Sequence, residues 1–185
     1  MRFAVLMRKQ NIDNPWISYR WAPQEVLPDF GQFRSQESEP SKITGQFLGR
    51  DAEGESWLFT GFELNLFPDE AEGYYLNVSA TTPAWFVMWR LEEDIERYID
   101  DQSIALAKSE TTIAVPHRIC VSYNEAARLL DGGEQVDQYP IDPLIFASVK
   151  QFVDENYRPE VKKRHRPESF KGAARGVQKT GEVKS

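Results

Sequence analysis

The sequence is poor in the residues on which most enzymatic and metal chemistry depends. Its 185 residues include one cysteine, Cys120, and two histidines, His117 and His165. A single cysteine excludes a disulfide within the chain. No apolar run approaches the roughly 18 residues of a membrane helix, and the N-terminal run Phe3–Met7 is shorter than a secretory core. These absences predict a soluble cytoplasmic protein that does not associate with a membrane.

Motifs that bind phosphate or a metal are missing as well. The glycines match neither the dinucleotide-binding spacing nor the P-loop spacing. His117 and Cys120 are three residues apart, so a regular strand places them on opposite faces, and a zinc site usually needs four ligands. Acidic runs such as Glu92–Asp94 are typical of a solvated face. We therefore predict no catalytic residue, no metal and no cofactor.

Charge is divided unevenly between the body of the chain and its C-terminal end. Residues 1–157 carry 13 basic and 26 acidic side chains, whereas residues 158–185 carry nine basic and three acidic ones. An acidic body repels phosphate backbones, which argues against nucleic-acid binding. We predict one globular domain over residues 1–157 and a disordered basic tail over 158–185. Lys162, Lys163 and Arg164 of that tail are either solvated or a linear motif for a partner.

Short apolar and aromatic runs separated by turn residues predict an α+β fold whose first 120 residues are mainly strands. The pattern is typical of an antiparallel barrel or sandwich of about six to seven strands. The segment Glu92–Asp101 is either a short helix or an excursion between strands. The predicted strands are Arg2–Lys9, Trp16–Leu27, Ile43–Leu48, Trp57–Phe67, Tyr74–Ala80, Ala84–Leu91 and Thr111–Val121.

Two helices are predicted to follow the strands. Ser122 and Glu125 form a capping box before a helix Tyr123–Asp131 that ends at a glycine pair. Asp142 followed by proline predicts the start of a second helix, which should stop near Tyr157.

Aromatic residues are the most unusual feature of the strand-rich part. They either fill the core or form an exposed strip that binds a partner. Trp85 and Trp89 share one strand face because they are four residues apart, whereas Phe86 points to the other face. The candidate interface residues are Trp16, Arg20, Trp21, Trp85 and Trp89, with Gly132, Gly133, Glu134 and Asp137 between the two helices.

Three stretches carry a resemblance to a known family. They are Asn14–Trp16 with Tyr19–Trp21, Glu72–Val78 leading into Pro83–Arg90, and Ser122–Tyr139. Over roughly residues 2–166 the chain resembles a proteobacterial family, domain-of-unknown-function family 3305. Members of such families look like companions of molybdenum-dependent formate dehydrogenases. The resemblance therefore implies an accessory role in the assembly, delivery or regulation of a large redox enzyme, and it carries over no catalytic residues.

Three hypotheses of function follow. The first is a non-catalytic cytoplasmic accessory protein that binds a protein partner, which the resemblance suggests is a formate dehydrogenase subunit or its maturation chaperone. The second is a module that binds a pterin-like or nucleotide-like small molecule in an aromatic-lined barrel mouth. An enzyme is the third and weakest hypothesis, since it needs a convergent pair of carboxylates, which a sequence alone does not show.

Overall fold

Two antiparallel sheets and four helices make up the described part of the chain, residues 1–33, 42–107 and 112–159 of the computed structural model. The α+β class predicted from the sequence is confirmed. The strands are β1 (Arg2–Asn11), β2 (Tyr19–Pro28), β3 (Thr44–Asp51), β4 (Gly54–Glu63), β5 (Ala84–Glu92), β6 (Ile113–Cys120) and β7 (Gln135–Pro140). The helices are α1 (Ala71–Val78), α2 (Asp101–Ala107), α3 (Tyr123–Asp131) and α4 (Pro143–Asn156).

The first sheet has the strand order β2-β1-β4-β3, with β1 and β4 at its centre. Phe3, Val5 and Met7 alternate along β1 and enter the main core, because every second side chain of a strand points to the same face. The β3–β4 hairpin turns at Ala52 and Glu53, and β4 begins at Gly54, whose φ is 149°. A Cβ at this position would lie 1.9 Å from the carbonyl oxygen of Lys9, so only glycine fits here.

The second sheet has the order β6-β5-β7 and packs on the first. Trp85, Val87 and Trp89 of β5 face the first sheet, and the Trp85 ring meets Phe3 edge-on at 4.9 Å. Phe86 points the other way and packs with Ala126 of α3. Both faces of β5 are therefore covered, one by the other sheet and one by a C-terminal helix.

The sheets do not close into a barrel. Among the described strands, β6 pairs with β5 alone and leaves its other edge open toward the chain after β4. The barrel alternative predicted from the sequence is thus wrong, because closure needs every edge strand to find a second partner.

The segment Pro68–Val78 also differs from its prediction. The sequence predicts a turn and then a strand Tyr74–Ala80, but the chain forms a 3₁₀ turn at Pro68–Glu70 followed by α1. Tyr74 and Asn77 are both buried, and their spacing of three suits one face of a helix rather than of a strand. Propensity of the aromatic residues for strands is overridden here by packing against α3 and α4.

The strand β7 and the helix α2 were not predicted. For the segment Glu92–Asp101 the sequence predicts either a short helix or an excursion between strands. The structure has a 3₁₀ turn there, at Ile95–Arg97. Both helices predicted after residue 120 are confirmed, with Ser122 and Asp142 as their N-caps. Ser122 accepts a hydrogen bond from the Glu125 amide (3.1 Å), and Asp142 accepts one from the Leu144 amide (2.7 Å). No helix in the described ranges is long and apolar enough to cross a membrane.

Candidate functional site

The turn between β1 and β2 presents the most exposed aromatic side chain of the described residues. Trp16 is 91% exposed and Ile17 is 55% exposed. The strand predicted from Trp16 begins only at Tyr19, so Trp16 belongs to the turn and not to the sheet. Arg20 follows on β2 with an exposed side chain. We call Trp16, Ile17, Tyr19 and Arg20 the hairpin-end surface.

Local hydrogen bonds fix the backbone beneath Trp16. The Ile12 amide donates to the Ser18 carbonyl at 3.0 Å, which closes the turn. The Trp16 amide donates to Oδ1 of Asn14 at 2.8 Å, and Pro15 between them has a fixed φ. The indole is therefore exposed on an ordered turn.

The two hairpins of the first sheet are joined next to this surface. The Asn11 amide donates to the Glu53 carbonyl at 2.7 Å, so the β1–β2 end is held against the β3–β4 turn. The ammonium group of Lys9 lies 4.3 Å from the centre of the Tyr19 ring, a cation–π contact that orients the ring.

Three tryptophans predicted as contacts are buried instead. Trp21, Trp85 and Trp89 are 5%, 1% and 4% exposed and belong to the main core. The Trp89 indole also donates to Oδ2 of Asp137 at 2.9 Å. The prediction that these three residues contact a partner is corrected, because their rings fill the space between the sheets. The same packing leaves no tryptophan-lined mouth in the described residues for a small ligand.

The segment Gly132–Asp137 makes contacts that stabilise the fold. Gly132 caps α3, and Gly133 has a φ of 83° that suits glycine. Glu134 forms a bidentate ion pair with Arg90 of β5, and that guanidinium lowers the pKa of the Glu134 carboxyl. These contacts attach β7 to β5, so Glu134 and Asp137 already have partners within the chain. Lys162, Lys163 and Arg164 lie outside the described residues.

A cleft that sequence reasoning missed lies beside the open edge of β6. Its volume is about 380 Å³, and its two long walls come from β6 and from the chain that leaves β4. We call it the β6 cleft. It is lined by Ile43, residues 61–65, Phe67, Tyr74, residues 117–121 and Glu125.

Ion pairs organise the rim of the β6 cleft. Arg118 pairs with Glu125, and Arg128 of α3 pairs with Glu70. The Ser122 hydroxyl donates to Oε2 of Glu70 at 2.8 Å, which joins the two pairs. Glu125 therefore faces Arg118 instead of completing the capping box from its side chain. The sequence signal for this network was the capping box, which placed Ser122 and Glu125 together but not Glu70.

Burial keeps the Cys120 thiol and the Tyr74 phenol of the cleft protonated. Burial raises the pKa of the Cys120 thiol to about 12, and burial also raises the pKa of the Tyr74 phenol. A neutral thiol is a weak nucleophile. His117, a third group of the cleft, bonds to Oε1 of Glu92 at 2.7 Å. The arrangement is suited to binding by shape and charge. Within the described ranges, no three His, Cys, Asp or Glu side chains are grouped to hold a metal.

Comparison with known protein families gives a match over most of the chain. A family model described as Protein of unknown function (DUF3305) matches residues 2–166. The chain belongs to this family. The match confirms the resemblance seen in the sequence, and the family's description assigns no activity. Searches of curated proteins and of solved structures give no significant match.

Proposed function

We propose that this chain is a non-catalytic accessory protein of the cytoplasm that binds another protein through the hairpin-end surface. The observation that carries the proposal is Trp16, an almost fully exposed indole on a turn closed by hydrogen bonds.

The energetics of interfaces support this choice. Tryptophan, tyrosine and arginine are the residues most enriched among binding hot spots, and the hairpin-end surface holds one of each. An ordered turn loses little conformational entropy on binding, so more of the contact energy contributes to affinity. Transfer of the Trp16 ring from water into a pocket on a partner would add the hydrophobic contribution of a large aromatic side chain.

The partner that the sequence resemblance suggests is a subunit of a molybdenum-dependent formate dehydrogenase or its maturation chaperone. An accessory protein of this kind acts in assembly or regulation, which requires a binding surface and no chemistry of its own. The protonated Cys120 and Tyr74 of the β6 cleft are compatible with such a role.

The test is co-purification of the tagged full chain from its native host, with quantitative mass spectrometry of the eluate. Three chains are compared: wild type, Trp16→Ala and Phe30→Ala. We expect one protein to be enriched with the wild type and with Phe30→Ala and depleted by at least about tenfold with Trp16→Ala. Equal recovery with all three chains would contradict the proposal.

Phe30 is a matched control because its ring is 89% exposed, nearly as much as that of Trp16. It follows the far end of β2, which spans ten residues and so about 30 Å. Loss of the partner with both variants would indicate a general effect of surface hydrophobicity, and that result also counts against the hairpin-end surface.

A further inference from the structure

The β6 cleft has an open strand edge on one side. Within the described residues β6 pairs with β5 alone, so alternate backbone N–H and C=O groups of residues 117–121 face the cleft. Pro116, which has no amide hydrogen, precedes this stretch, and every residue of the stretch carries one. An extended segment can add to such an edge through main-chain hydrogen bonds.

The opposite wall of the cleft, residues 61–65, has an apolar and an acidic side. Phe62 and Leu64 are buried and belong to the main core, whereas Glu63 between them is exposed. Phe67, just beyond this wall, also lines the cleft and is 55% exposed. Because alternate side chains of a strand point to opposite faces, a strand added here would place one set of side chains on the apolar side and the other set beside Glu63.

The charge of the cleft is unbalanced at Glu63. The cleft and its rim hold three carboxylates and two guanidinium groups, those of Glu63, Glu70, Glu125, Arg118 and Arg128. Both arginines are paired with the other two glutamates. Arg2 is the neighbour of Glu63 across β1, but within the described residues no ion pair joins them. A lysine or an arginine on an incoming segment therefore matches the charge that is left.

We propose that the β6 cleft binds an extended segment of a partner protein that alternates apolar residues with lysine or arginine. The segment adds to the edge of β6 as a further strand of the second sheet. Its apolar side chains contact Phe67 and the apolar side of the wall, and one of its basic side chains pairs with Glu63.

The β6 cleft is separate from the hairpin-end surface. Glu63 is the last residue of β4, whereas Glu53, beside the hairpin-end surface, precedes the first. The strand spans ten residues and so about 30 Å. The inference therefore stands or falls independently of the proposed function.

The first test selects peptides from a display library of random octapeptides on the full-length protein. We expect the enriched sequences to alternate apolar residues with lysine or arginine. Glu63→Lys should bind an enriched peptide at least about tenfold more weakly than the wild type does. Glu53→Lys is the control, since it makes the same charge change on an exposed side chain at the other end of β4. Acidic or patternless enriched peptides, no enrichment, or equal weakening by both variants overturns the proposal.

The second test asks whether an enriched peptide binds through its main chain, and it needs no variant of the protein. The peptide is made unmodified and in two N-methylated forms, each methylated at every second residue, so that one form lacks the donors that face β6. We expect that form to bind at least about tenfold more weakly than the unmodified peptide. With the unmodified peptide bound, the amides of residues 117–121 should exchange about tenfold more slowly. Equal affinity of the three peptides, or unchanged exchange, overturns strand addition.

Hydrogen exchange and native mass spectrometry of the protein without peptide identify two other occupants. Protection of residues 117–121 that rises with protein concentration would show a second copy of this chain on the edge of β6. Extra mass that is lost on denaturation, together with protection of the same amides, would show a small molecule in the cleft. Either result overturns the assignment of the cleft to a partner's basic segment.

Discussion

At the scale of single residues, the tryptophans differ in burial, although the sequence alone does not distinguish the exposed ones from the buried ones. Trp16 is exposed because it falls in a turn after Pro15, whereas Trp85 sits on a strand between two layers. Alternation along the strand predicted that Trp85 and Trp89 share a face, which is correct. It could not say which face meets the other sheet, because that depends on strand pairing between distant parts of the chain.

Asn77 is a buried polar residue that joins three parts of the fold. Its side chain makes three hydrogen bonds, to the carbonyl and amide of Ala84 and to the carbonyl of Val121, and so ties α1 to the start of β5 and to the residue that follows β6. The sequence gives no sign of this role, since the pattern there favoured a strand.

We expect Asn77→Ala to lower the free energy of unfolding by about 3 kcal/mol, because three buried backbone groups lose their partner. Urea denaturation measures the change. Asn156→Ala is the control, since its amide bonds only the exposed Phe152 carbonyl at the end of α4. A loss of similar size in both variants would show that Asn77 has no special role.

Cys120 provides a prediction about pH. Burial raises its pKa to about 12, so at pH 8 only about one folded molecule in ten thousand carries the thiolate. We expect negligible reaction of the folded protein with an aromatic disulfide reagent at pH 8, and complete reaction in urea. Because the folded pKa lies above the ordinary value of 9.0, the stability from the neutral thiol is complete below that pH and declines as the pH rises toward 12. Rapid labelling of the folded chain would contradict this account of the cleft.

At the scale of elements, the helices with local stop and start signals were predictable and the others were not. Capping residues and a glycine stop act within four residues, so α3 and α4 could be placed from the sequence. β7 is half-exposed and polar, and it is a strand because its backbone pairs with β5 from Trp89↔Gln135 to Ala84↔Pro140. No local sequence pattern predicts strand pairing between residues so far apart in the chain.

The cap of α4 gives the prediction at this scale. We expect Asp142→Ala to lower the free energy of unfolding by about 1 kcal/mol, because the Leu144 amide loses its acceptor. Asp154→Ala, which removes only an exposed pair with Lys150, should cost about 0.3–0.5 kcal/mol. Thermal or urea unfolding of the two variants distinguishes them, and a larger loss for Asp154→Ala would count against the cap.

At the scale of the whole molecule, the separation of the sheets determines where ligands and partners can approach. Aromatic residues fill the space between the sheets, so the interior is packed, and the β6 cleft lies beside β6. The sequence predicted the α+β class but not this cleft, whose walls come from residues about 50 positions apart. The hairpin-end surface was predicted in part: Trp16 and Arg20 are exposed, whereas Trp21 belongs to the core.

The account rests on the hairpin-end surface as a binding surface, and its most direct test is a dissociation constant. The partner recovered by co-purification is titrated with purified wild type, Trp16→Ala and Phe30→Ala. A hot-spot tryptophan predicts that Trp16→Ala weakens binding by about thirtyfold while unfolding stability changes by no more than about 0.5 kcal/mol. Phe30→Ala should bind as the wild type does. Identical dissociation constants for wild type and Trp16→Ala would contradict the central claim.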